Sequence, residues 1–222
     1  MKKLNAYIIG GDMSVHALLS LDKRLNPING GRVDFADMDI LVYTGGADVH
    51  PRFYGEEIAG ADWLNEPRDE YEFDIYNRTK EKYHFGICRG AQLLWIANGG
   101  KLWQDITGHS LRGTHHIKTL DGQDIDGVTS LHHQCARVTK DMQANVLAWE
   151  EYHDPVLAES QDVSAVPLRK VPETVWFPKT RCFGVQGHPE YPHASRAFKN
   201  YTLNHLLDDP FTGYYATSTE TM

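Results

Sequence analysis

The sequence predicts an α/β protein built on a parallel sheet, and three observations carry that reading. Short apolar runs end in glycine pairs, strand-like and helix-like segments alternate from Asn5 to Asn98, and 222 residues suit one domain.

Asn5 to Gly10 reads as a buried strand closing on Gly10 and Gly11, and Asp39 to Thr44 as a second closing on Gly45 and Gly46. Glu66 to Lys82 opens on Pro67, places acids in its first turns and bases in its last, and so matches a helix dipole on a surface helix. Tyr83 to Ile87 is a strand, followed almost without spacer by a helical segment from Gly90 to Asn98 that Gly99 and Gly100 stop. From Lys101 to about Lys170 periodicity is weak, and short, partly antiparallel strands are expected. Thr174 to Phe177 and Cys182 to Gln186 flank a Pro-Lys-Thr-Arg turn and suit a hairpin. Ala194 to Leu207 resembles a terminal amphipathic helix. One domain over residues 1–207 and a frayed tail over 208–222 complete the expected organisation.

Composition narrows the function. The chain is 41% apolar and 23% charged, a globular mix. Its 22 basic and 30 acidic residues give a net charge of −8, which disfavours nucleic acid and anionic membranes as partners. Three cysteines without a Cys-x-x-Cys pair, no secretory leader and no apolar run of spanning length point to a cytoplasmic protein.

The sharpest local feature is GICRG at 86–90, a cysteine flanked by glycines between a strand and a helix. This is the nucleophile-elbow pattern with sulfur as the nucleophile. The helix N-terminus there favours the Cys88 thiolate. A thiolate nucleophile needs a base, and the base needs an orienting group. GHPE at 187–190 supplies both: Pro189 biases His188 toward an extended conformation, so His188 and Glu190, two residues apart, face the same way. Twelve histidines, with pairs at 115/116 and 132/133, raise the question of a metal. No HExxH or cysteine pair frames a site, and none is expected.

GICRGAQ, NGGKLWQDI, SLHHQ at 130–134 and VQGHPE at 185–190, in that order, resemble the class I glutamine amidotransferase-like superfamily, and within it the gamma-glutamyl hydrolase branch, peptidase C26. The Cys-Arg-Gly elbow and RDEYE at 68–72 are more typical of those hydrolases than of amidotransferase glutaminase domains. The resemblance implies a flavodoxin-like, three-layer α/β/α sandwich with a central, mostly parallel sheet. It also implies a Cys88, His188, Glu190 triad that cleaves a gamma-glutamyl amide without a cofactor. The backbone N–H groups of Gly46 and Arg89 would form the oxyanion hole. Gln92, Ser130, His133 and Gln134 would hold the glutamyl group, and Gly108 to Gly127 would wall off the leaving amine. The expected partner is a small-molecule gamma-glutamyl substrate, with a homodimer possible. The alternatives are a glutaminase subunit that needs a separate synthase and, less favoured, a non-catalytic binding protein on this fold.

Overall fold

The structure, a computed structural model, describes residues 2–107, 113–161 and 163–212. The chain opens with β1 (Leu4–Ile8), α1 (Met13–Leu19) and β2 (Leu25–Asn29), followed by β3 (Ile40–Tyr43), α2 (Glu66–Arg78), β4 (Tyr83–Ile87) and α3 (Arg89–Ala97). The second half holds β5 (Lys101–Trp103), β6 (Asp105–Ile106), β7 (Gly113–Thr119), β8 (Asp124–Ser130), β9 (Cys135–Arg137), β10 (Asn145–Ser160), β11 (Val163–Phe177) and β12 (Cys182–Val185). It closes on α4 (Arg196–Thr212).

A ten-stranded sheet runs in the order β2-β1-β3-β4-β12-β11-β10-β7-β8, with β6 on β10; β5 and β9 pair separately. The five strands from β2 to β12 are parallel, and the rest continue antiparallel, so the sheet is mixed. Side chains alternate across the parallel half. Ile40 and Val42 pack with α1 and α4 on one face, while Leu41 and Tyr43 pack with α2 and α3 on the other. That is a three-layer α/β/α arrangement, and it buries β3 and β4 completely. The carboxyl end of β4, in mid-sheet, is where a ligand site is expected in such a fold.

Several elements differ from the sequence reading. The expected short strands after Lys101 include two of 16 and 15 residues, β10 and β11, whose pairing shifts register at four places. Each bulge breaks the alternation that would reveal a long strand. α2 is not a simple surface helix, because Asp69 and Glu72 are buried with Ile75 and Tyr76. α4 continues to Thr212, so 208–212 are helical, and the remainder of the expected tail, 213–222, lies outside the described residues. Among the described residues no helix is long and apolar enough to cross a membrane.

Candidate active site

Cys88 is the residue between β4 and α3, with φ 51° and ψ −112°. A non-glycine side chain rarely holds a positive φ, and such strain persists only where the surroundings enforce it. Here the enforcement is visible. The Cys88 N–H donates to the Val185 carbonyl at 2.8 Å, and the Cys88 carbonyl accepts from Gln92 at 3.1 Å. A Cβ on Gly86 would collide with the Gly90 carbonyl, and one on Gly90 with the Tyr43 carbonyl. Both glycines of GICRG are therefore steric requirements of the turn. The sulfur makes no capping bond to α3; it accepts from the Gln186 amide at 3.7 Å.

His188 follows β12, the strand beside β4. Its N–H donates to the Thr129 hydroxyl at 2.6 Å, and that hydroxyl donates to the His188 carbonyl at 3.0 Å. The ring lies over Tyr191, centroids 4.3 Å apart. Its Nδ1 meets Glu190 Oε1 at 2.7 Å, and Cys88 is its other side-chain hydrogen-bonding neighbour. Burial disfavours the imidazolium, but the neighbouring Cys88 and Glu190 side chains outweigh burial and push the His188 pKa up to about 11. A cysteine beside an imidazole that a carboxylate orients is an arrangement able to activate a sulfur nucleophile.

The turn facing the cysteine is braced from α2. Arg68 donates to the carbonyls of Gly45 (3.1 Å) and Thr44 (3.2 Å) and to Glu72 at 2.8 Å. Glu72 and Asp69 in turn pair with Arg89, whose side chain is 1% exposed. RDEYE therefore ties the Gly45-Gly46 turn to the residue after Cys88. Gly45 presses on the site so closely that a Cβ there would stand 2.8 Å from His188 Cε1.

A cleft of about 590 Å³ opens over these groups, lined among others by Gly46, Cys88, Arg89, Gln92, His133, Gln134 and His188. Gln92 and Gln134 also stitch the cleft floor: Gln92 donates to the Gln134 carbonyl (3.1 Å) and the Gln186 side chain (3.2 Å), and Gln134 to the Gln104 carbonyl (3.3 Å). His133 is clamped by Asp48 at 2.9 Å and Asp105 at 3.1 Å; the hydrogen bond it donates to Asp48, assisted by the surrounding carboxylates, outweighs burial and lifts its pKa to about 9. Ser130 is not brought to the cleft. Successive strand residues face opposite ways, and on β8 it is Thr129 that turns toward His188. The stretch expected to wall off the leaving group also lies elsewhere. Residues 108–112 fall outside the described residues, and 113–127 form the β7–β8 hairpin, which contributes no described residue to the cleft lining.

The sequence pattern of the family described as Peptidase C26 matches residues 32–190. This chain belongs to the peptidase C26 family. It is 31% identical over 163 residues to the "Putative glutamine amidotransferase-like protein YvdE" of Lactococcus lactis subsp. lactis, covering 63% of this chain and 67% of that protein. It is 32% identical over 183 residues to a "Putative glutamine amidotransferase" of Mycobacterium tuberculosis, covering 78% of this chain and 56% of that one. The fold matches a glutamine amidotransferase from Thermotoga maritima with a TM-score of 0.60 at 12% identity, over 95% of this chain and 93% of that one. The family and the relatives' names are those of hydrolase- or amidotransferase-type enzymes.

In this peptidase C26 member, sequence reasoning did not single out Asp48, Asp62, Trp63 and Tyr191, which line the outer cleft, or Gln186, which contacts the sulfur. Tyr191 directly follows GHPE and was within reach of that motif. Asp48 and Asp62 sit in loops whose convergence on His133 is visible only in three dimensions.

Proposed function

We propose that the protein hydrolyses a gamma-glutamyl amide through Cys88. The observation that carries this reading is His188 held between Cys88 and Glu190 in a cleft that the Gly46 and Arg89 backbone also lines. The Cys88 thiolate attacks the side-chain carbonyl, and the N–H groups of Gly46 and Arg89 receive the oxyanion. Collapse of the tetrahedral intermediate breaks the C–N bond. The amine leaves with the proton carried by His188, and a gamma-glutamyl thioester remains on the sulfur. His188 then takes a proton from water, the hydroxide attacks the thioester, and glutamate leaves as the thiolate is restored. Gln92, His133 and Gln134 hold the glutamyl end in this scheme. The chemistry uses no cofactor and suits a cytoplasmic enzyme.

The names of the relatives favour a second reading, a glutaminase that passes ammonia to a separate synthase. Glutamate release from glutamine and from a panel of secondary gamma-glutamyl amides, with and without candidate synthases, separates the two. Higher kcat/KM on a secondary amide without a partner supports the hydrolase. Preference for glutamine, or a large rise in rate with a partner, establishes the amidotransferase. In the same assay Cys88→Ala should lose activity by on the order of 10³-fold or more. A thiol-directed glutamine analogue should label Cys88 alone; labelling chiefly at Cys135 or Cys182 overturns the assignment.

A further inference from the structure

Strands β7, β10 and β11 bring His115, Glu150 and Glu173 together, their ligating atoms within 4.8 Å of one another. Glu150 Oε2 stands 3.6 Å and Glu173 Oε2 3.5 Å from the same atom, His115 Nε2. One imidazole N–H points at one acceptor and cannot serve two carboxylates. Both distances also exceed the 2.7–3.2 Å of an N–H···O hydrogen bond. They do match the edge of a coordination tetrahedron: two ligands about 2.0–2.1 Å from zinc stand about 3.4 Å apart.

Glu173 supplies an independent observation. It is 2% exposed, and neither of its carboxylate oxygens makes a hydrogen bond. Its second oxygen, Oε1, faces His132 Nε2 at 3.6 Å. The other ring nitrogen of His132 donates to the Gln134 carbonyl at 2.9 Å, a backbone anchor of the kind that fixes imidazoles around metal sites. A buried carboxylate and a half-buried one, set against two imidazoles, form a donor set that a cation suits. A divalent cation beside His115 supplies the positive charge.

We infer that His115, Glu150 and Glu173 bind a zinc-type divalent cation, with His132 holding the second oxygen of Glu173. Imidazole and carboxylate together suit zinc, with manganese or iron the next fits by donor type. The site's role is positional. The Glu173 backbone carbonyl accepts from the Gln186 N–H at 2.8 Å, and His132 lines the cleft beside His133. A metal here would pin SLHHQ to the strand beside β12.

Metal content of the purified full chain, measured by inductively coupled plasma mass spectrometry, tests this directly. The expectation is about one zinc-type ion per chain. After chelation, Co²⁺ should restore a visible d–d spectrum and Zn²⁺ should raise Tm. Glu173→Gln and Glu150→Gln should each weaken binding by about 10- to 100-fold. Cys88→Ala and Asp48→Asn should retain the ion, since Asp48, Asp62 and His133 form the competing cluster. If a variant does not fold, the Co²⁺ spectrum and Tm response of the unaltered chain still decide. A folded chain with no metal and no response to Zn²⁺ or Co²⁺ overturns the site, as does metal lost with Asp48 or Cys88 but kept without Glu173.

Discussion

Arg89, the residue after Cys88, is ion-paired with Asp69 of α2, and both side chains are shut away from solvent. Removing one member of a buried pair strands the other charge, at a cost of about 3–5 kcal/mol. Asp69→Asn should therefore lower Tm by about 10 °C in a chain of this length. Thermal denaturation checks it. A change within 2 °C would show that Glu72 alone satisfies Arg89.

The alkaline limb of activity should follow His188. Its folded pKa lies above the ordinary 6.5, so the charge it carries stabilises the fold fully below about pH 6.5. That contribution is lost as pH rises through about 11. Glu190→Gln removes one of the two groups that raise this pKa, so the alkaline limb of kcat/KM should move to lower pH with residual activity retained. His188→Asn should remove nearly all turnover. Near-normal rates in that variant would put the acid/base role on another histidine.

His84 on β4 predicts an acid limb of stability. Burial lowers its pKa from 6.5 to about 4, with its ring hydrogen-bonded to the Thr79 carbonyl at 3.0 Å and the Tyr43 hydroxyl at 3.2 Å. The unfolded chain therefore takes up the proton first, and stability falls as pH drops from about 6.5 to 4, by about 3 kcal/mol in all. Urea unfolding across this range should show the loss, and His84→Gln should flatten it. An equally steep decline in the variant would assign the limb to other groups.

The cleft mouth carries Trp63, 86% exposed, beside Asp62. An apolar ring held in water at a cleft rim gains by covering a ligand. Trp63→Ala should raise KM for a secondary gamma-glutamyl amide about tenfold, the effect of about 1.4 kcal/mol, with kcat within twofold. A fall in kcat with KM unchanged would place Trp63 in the chemical step instead.

Legibility in the sequence followed the range of the forces involved. Gly86 and Gly90 are required by contacts within a few residues and with one neighbouring strand, so the elbow was readable, as was the meeting of His188 with Glu190. α1 has seven residues and a single capping Asp12, too short for periodicity to register, and β2 tolerates Pro27 because it is the edge strand. The buried acids of α2 misled because Asp69 and Glu72 look solvated until Arg89, 17 residues beyond Glu72, is placed against them. Ser130 and Thr129 differ only in which way a pleat turns, and nothing in SLHHQ settles that. The convergence of His115, Glu150 and Glu173 rests on strand pairing through a bulged ladder that local patterns do not encode.

The strand pairing of β4 also bears on how the protein is made. β12, which holds the Cys88 N–H through Val185, enters the sheet beside β4 only after roughly a hundred further residues have been synthesised. Until then the nascent chain has an open edge on β4, and nothing from β12 holds the bend at Cys88. His188 arrives on the same late segment. The contact that holds the bend at Cys88 therefore forms only in the docking step that seals the sheet.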